Sequence, residues 1–185
     1  MDYDFVVNQA SIGKLAFVIF GVTGDLTRRK LIPALYELAK SNNLPTPLTI
    51  IGFARRDWTQ EMMVDNLTRG LMEFSRTKPI DMDIANRLLA DARYIQSSFE
   101  DDAGYEEIIR LTQEAGFDNV LYYLATPPDS YKAIVQKIGK NGANAAGKKW
   151  TRIVIEKPYG NDLETARELE DEVHKVFKEN QIYRI

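Results

Sequence analysis

Five short strand-like runs, several of them continuously apolar and alternating with stretches of helical periodicity, constrain this chain more than any other feature of its sequence. The runs are Leu15–Phe20, Leu48–Phe53, Tyr94–Phe99, Asn119–Leu124 and Arg152–Glu156, and the first, LAFVIF, contains no polar residue. A strand with one wet face alternates polar and apolar residues. A continuous apolar run signals both faces covered, as in a parallel sheet packed under helices. Between the runs, residues such as Tyr131, Ile134, Val135 and Ile138, or Leu163, Ala166, Leu169, Val173 and Val176–Phe177, recur at helical spacing. The last of these patterns starts behind Asn161–Asp162, good capping residues. It ends among His174, Lys175 and Lys178, whose charge suits a helix C-terminus. The order predicts an α/β fold, a doubly wound, mostly parallel Rossmann-type sheet with helices on both faces.

At 185 residues the chain suits one domain, 1–185, with a real core. Its net charge of −3 argues against a nucleic-acid or membrane partner, since neither polyanion would be attracted overall. With no cysteine, disulfides and thiolate chemistry are excluded, and a reducing cytoplasm is the natural location. The opening MDYDFVVNQAS lacks the basic and apolar regions of a signal peptide, and LAFVIF is too short to span a bilayer. The stretch KNGANAAGKK at 140–149 reads as a surface loop or crossover within the domain.

The segment GVTGDL leaves the first strand and opens a helix, where the carboxyl ends of a doubly wound sheet bind ligands. Gly21 permits a tight turn, and Gly24 lets backbone amides approach an anion without a side chain in the way. Thr23 adds a hydroxyl donor, and Asp25 is expected to cap the free amides of the helix start while pointing aside from the phosphates. The same two glycines would also serve a plain structural turn, but their place after a buried strand favours phosphate. Pro33 argues against an unbroken helix from Asp25: either a short turn covers 25–29 and the main helix starts near Leu31, or the helix kinks. In both cases Lys30 lies near the mouth of the site.

The second strand runs into Arg55–Arg56, with Asp57 only after them. A ribose 2′-hydroxyl is usually held by a carboxylate here, whereas a 2′-phosphate needs cations, so the pair favours NADP unless it is merely solvated. The fourth strand ends in Thr126–Pro127–Pro128–Asp129–Ser130–Tyr131, a stiff turn that would serve either as a wall beside a nicotinamide or as a helix start. The fifth ends in Glu156–Lys157–Pro158–Tyr159–Gly160, where a lysine faces the ligand crevice and a Lys–Pro bond is able to adopt the cis form.

Taken together, GVTGDLTRRKLIPALYEL, GFARR, YLATPPDSY, RIVIEKPYGNDLETA and FKENQIYRI resemble the glucose-6-phosphate dehydrogenase family along nearly the whole chain. The part resembled is the N-terminal coenzyme domain. The resemblance implies NADP as coenzyme and glucose 6-phosphate as substrate of the whole enzyme. It implies that Gly21, Val22, Thr23, Gly24, Asp25 and Leu26 form the pyrophosphate turn and that Arg55 meets the 2′-phosphate. Ser98 and Phe99 would touch the adenosine, and Ala125, Pro127 and Tyr131 would lie along the nicotinamide. Lys157 would reach both coenzyme and sugar, and Lys30 would approach the substrate.

The family continues after an IYRI-like segment with a DHYLGKE motif, whose histidine is the general base and whose aspartate orients it. This sequence stops at Ile185, before that motif, and its one histidine, His174, does not match the family's position. The domain that completes the substrate pocket and forms the family's homo-oligomer interface is likewise absent. The expectation is therefore a coenzyme-binding domain that does not turn over sugar phosphate by itself and contains no catalytic residue or metal site. The alternative is a free-standing nucleotide-binding or sensing module, favoured by a native stop after Ile185. A short-chain dehydrogenase would want a Tyr-x-x-x-Lys pair in the fourth or fifth unit, which is not present.

Overall fold

The computed structural model describes residues 12–144, 147–160 and 162–185. The reading of residues 1–11 as no leader, the middle of the 140–149 loop and Asn161 as part of a cap lie outside the described residues.

Six strands form one sheet: β1 (Leu15–Phe20), β2 (Leu48–Ala54), β3 (Arg93–Gln96), β4 (Asn119–Leu124), β5 (Trp150–Ile155) and β6 (Ile182–Arg184). Their order is β3-β2-β1-β4-β5-β6 and every pairing is parallel. The chain winds outward from β1 to β3, crosses back, and winds outward from β4 to β6, so the order reverses between β1 and β4. The first and fourth strands match their expected bounds. The third differs: pairing stops at Gln96, so Ser98 and Phe99 belong to the loop beyond it. The sixth strand carries only three residues, Ile182 buried and the next two exposed, too few to register as an apolar run.

All six residues of β1 are buried, which explains LAFVIF. Ala16, Val18 and Phe20 enter one core with residues of α4 (Asp102–Glu114), α5 (Tyr131–Lys140) and α6 (Leu163–Val176). Phe17 and Ile19 enter the other core with residues of α1 (Ile32–Lys40), α2 (Gln60–Phe74) and α3 (Met82–Leu89). The two cores sit on opposite faces of the strand because successive side chains alternate. Asp162 caps α6: its carboxylate accepts from the Thr165 amide at 2.8 Å, with the reciprocal bond of a capping box. No helix among the described residues is long and apolar enough to cross a membrane.

Pro33 is accommodated by a device that neither sequence alternative named. Helical residues begin at Asp25, and a π-helical turn over Thr27–Leu31, closed by the Ile32 amide on the Thr27 carbonyl, leads into α1. The wider turn absorbs one extra residue and puts Pro33 in the first turn of α1, where a missing N–H and a fixed φ are tolerated.

Candidate functional site

Phe20 pairs with both Phe53 and Leu124, and Leu124 with Ile155, so β1, β2, β4 and β5 end almost level. The loops beginning at Gly21, Arg55, Ala125 and Glu156 therefore leave one edge of the sheet together. Those after β1 and β4 flank the reversal in strand order, where a crevice opens because the two chains depart to opposite faces.

Gly21 adopts φ +84, and a Cβ there would overlap the Ala125 carbonyl, so only glycine fits. Its amide donates to Phe53 O at 2.8 Å, that of Val22 to the same oxygen at 3.4 Å, and that of Gly24 to Gly21 O at 2.9 Å. The glycine amides are thus consumed in building the turn. Among the described residues, the amides of Thr23, Asp25 and Leu26 have no acceptor, and these are the donors left for an anion at the helix start. Asp25 does not cap the helix as expected. It stands inside the first turn, where its exposed carboxylate pairs with Arg29 four residues on at 3.5 Å. The sequence reading missed Thr27, fully buried, whose hydroxyl donates to Gly21 O at 3.3 Å and closes the turn from below.

At the ends of β2 and β3, Arg55 is exposed and forms no ion pair among the described residues. Arg56 instead lies over the Trp58 ring at 5.4 Å, and its carbonyl accepts from the Tyr94 phenol at 2.7 Å. The two arginines are therefore not equivalent: one is held against the protein and one is free. Ser98 donates to Glu100 at 2.6 Å, and that bond, with the nearby Arg55 charge as a smaller cause, holds the Glu100 carboxyl below its usual range. The Phe99 ring is buried, stacked on Phe53 with centroids 6.0 Å apart, so the residue offers backbone rather than side chain to a ligand. Its carbonyl accepts from Tyr105 at 2.8 Å.

At the ends of β4 and β5, the Ala125 amide donates to Phe20 O at 2.9 Å, which presses this loop onto Gly21. Thr126 beside it carries a buried hydroxyl with no hydrogen-bond partner. Pro127 is exposed, whereas the Tyr131 ring is only 1% exposed and its hydroxyl donates to Glu156 O at 3.3 Å. Burial, aided by the Glu156 charge, pushes the Tyr131 phenol up to about 12, so it stays a neutral donor. The Lys157–Pro158 bond is cis. The Lys157 amide donates to Ile185 O at 2.9 Å, while its side chain is exposed and unpaired among the described residues. Lys30, on the π turn, is also exposed.

His174 lies eleven residues into α6, about 16 Å along an axis that starts at the ligand edge and runs away from it. There it contacts Glu179 at 2.9 Å and Glu170 at 3.5 Å, the one His–carboxylate group compact enough for a cation among the described residues. The Arg184 guanidinium already pairs with both carboxylates, at 2.6 and 3.0 Å, and takes that cation's place. The ligand edge thus presents the unclaimed amides of Thr23, Asp25 and Leu26 and the exposed cations of Arg55, Lys157 and Lys30, an arrangement suited to holding a phosphate-bearing ligand.

Residues 18–185 match the family model described as glucose-6-phosphate dehydrogenase, NAD binding domain. A glucose-6-phosphate 1-dehydrogenase 2 of Mycobacterium tuberculosis is 40% identical over 179 residues, covering 94% of this chain and 35% of that protein. A glucose-6-phosphate 1-dehydrogenase of Chlamydia muridarum is 36% identical over 177 residues, covering 91% and 35% respectively. The crystal structure of glucose-6-phosphate 1-dehydrogenase from Mycobacterium avium superposes with a TM-score of 0.79 at 32% identity, over 94% of this chain and 36% of that one. A glucose-6-phosphate dehydrogenase solved in complex with its substrate gives 0.81 at 29% identity, over 92% and 36%. The chain spans about a third of the length of the relatives it matches.

Proposed function

Because this chain belongs to the glucose-6-phosphate dehydrogenase family through its coenzyme-binding domain, we propose that it holds NADP for the oxidation of glucose 6-phosphate by a whole-length enzyme. The observation that carries this reading is the free Arg55 at the end of β2, on the same sheet edge as the unclaimed amides of Thr23, Asp25 and Leu26. In it the amides receive the pyrophosphate, with Gly21, Val22 and Gly24 shaping the turn. Arg55 forks onto the 2′-phosphate. The backbone at Ser98 and Phe99 borders the adenosine, and Ala125 and Pro127 border the nicotinamide, with Tyr131 as a buried support. The orphaned hydroxyl of Thr126 fits a group that arrives with the coenzyme, since a buried hydroxyl without a partner costs free energy until one comes.

When bound, the nicotinamide supplies the hydride acceptor. Lys157 orients sugar phosphate and coenzyme together and Lys30 lies on the substrate's approach. Lys157 does not take the sugar proton, because an ordinary lysine is protonated at neutral pH. The base belongs to the DHYLGKE motif that follows in the family, and no catalytic role falls on His174. The same reading makes the whole enzyme a cytoplasmic homo-oligomer assembled through its second domain, without nucleic acid, membrane or metal.

Titration calorimetry of residues 1–185 tests the coenzyme assignment. NADP is expected to bind measurably and more tightly than NAD, and equal affinity for the two would refute it. Production of NADPH from glucose 6-phosphate by the purified chain would refute the placement of the base outside it.

A further inference from the structure

Glu156 and Lys157 are neighbours with opposite charges and long side chains, yet Glu156 is held by Tyr123 and no ion pair joins the two among the described residues. The sheet gives the reason. Tyr123 on β4 stands opposite Val154 on β5, and Val154 and Glu156, two residues apart, face the same side. The Tyr123 ring lies along that face, 9% exposed and edge-on to Phe17 at 6.0 Å, and its hydroxyl donates to the Glu156 carboxylate. From the start of α5, Tyr131 donates to the carbonyl of the same residue at 3.3 Å. On the other flank, the residue after β6 fixes the Lys157 amide, which donates to Ile185 O at 2.9 Å. The backbone of 156–157 is therefore held from α5 and from the residue after β6, while Tyr123 on β4 holds the carboxylate over the sheet and the exposed Lys157 side chain has no partner among the described residues.

We propose that Tyr123 is a positioning residue that sequesters the Glu156 carboxylate, so that the Lys157 ammonium stays free for an anionic ligand instead of being neutralised by its neighbour. The functional consequence rests on the reading of Lys157 as a sugar-phosphate contact. The sequestration does not. A phenol buried at this site is a neutral, strong donor to a carboxylate. Without it, Lys157, adjacent in sequence and otherwise unpaired among the described residues, is a cation that Glu156 can reach.

Pulse acylation with N-hydroxysuccinimide acetate, read by mass spectrometry with the exposed Lys30 as internal reference, tests the sequestration in residues 1–185. Tyr123→Phe removes one oxygen and keeps the ring. It should slow labelling of Lys157 at least about threefold, because a paired ammonium gives up its proton less readily. Adding Glu156→Gln, which still accepts a hydrogen bond but has no charge, should restore the parent rate. Glu156→Gln alone should leave Lys157 as reactive as in the parent. A parent-like rate in Tyr123→Phe, or a double variant that stays slow, would overturn the proposal. Circular dichroism excludes unfolding as the cause, since a lysine in an unfolded chain labels faster, not slower.

In a whole-length dehydrogenase carrying this domain, Tyr123→Phe should raise KM for glucose 6-phosphate more than KM for NADP, and Glu156→Gln should reverse the rise. Normal KM values together with the predicted labelling would leave the sequestration standing and remove the sugar-phosphate role of Lys157.

Discussion

The phenol of Tyr105 donates to the carbonyl oxygen of Phe99 at 2.8 Å from inside the core, tying α4 to the loop that follows β3. Burial raises this phenol far above its ordinary value, so it is always a donor. The Phe99 ring closes the same clamp from the other side by stacking on Phe53.

Tyr105→Phe should therefore cost about 0.5–1.5 kcal/mol of stability, the net worth of one hydrogen bond. Urea unfolding checks the cost. NADP affinity should fall a few-fold, because the loop that borders the adenosine loses an anchor. Unchanged stability would mean that the carbonyl finds another partner.

Thr126→Val should act in the opposite sense on the ligand-free protein. Its hydroxyl is buried without a partner, so an isosteric methyl should leave the urea midpoint equal or higher. NADP binding by calorimetry should weaken by about fivefold or more, the loss of one neutral hydrogen bond. A destabilised but normally binding variant would show that Thr126 serves the fold alone.

Arg55→Ala should weaken NADP by roughly 1.5–3 kcal/mol, the scale of a charge-assisted hydrogen bond, with little change for NAD. Arg56→Ala should have the smaller effect, since that guanidinium is already engaged with Trp58. Equal losses for both coenzymes on removing Arg55 would show that it does not read the 2′-phosphate.

Acid sensitivity should pass through Asp102. Its carboxylate opens α4 and receives Lys137 at 2.8 Å, Lys140 at 2.6 Å and Asn141 at 3.0 Å from the end of α5. The lysine bonds, Lys137 first, hold the carboxyl well below the usual carboxylate range. In the unfolded chain it takes a proton near the ordinary value of about 3.9. The folded state therefore binds fewer protons below that pH, and stability rises with pH through this window and is fully present above about pH 5. The parent's urea midpoint should fall more steeply from pH 5 to pH 3 than that of Asp102→Asn, whose own midpoint is lower at pH 7. Parallel curves would remove Asp102 as the cause.

The sequence by itself determined five of the six strands (the third only approximately), the sheet class and the motif positions, because each rests on residues close together in the chain. LAFVIF reports burial on both faces, Asp162 reports a helix start, and Gly21 reports a turn that no other residue can make. Arg55, Ala125, Pro127 and Lys157 fall at one edge for the same reason: strand ends are readable, and parallel strands end level. Tertiary structure decided how polar groups are partnered, which depends on residues far apart in sequence. It consumed the Gly24 amide inside the turn and left those of Thr23, Asp25 and Leu26. It turned Asp25 toward Arg29, buried the Phe99 ring, and chose a π turn to carry Pro33 into α1. It also joined Tyr123 to Glu156 across 33 residues, leaving Lys157 unpaired. No local pattern encodes such a pairing, because a hydrogen bond between neighbouring strands is set by their register, and register exists only once the sheet has formed.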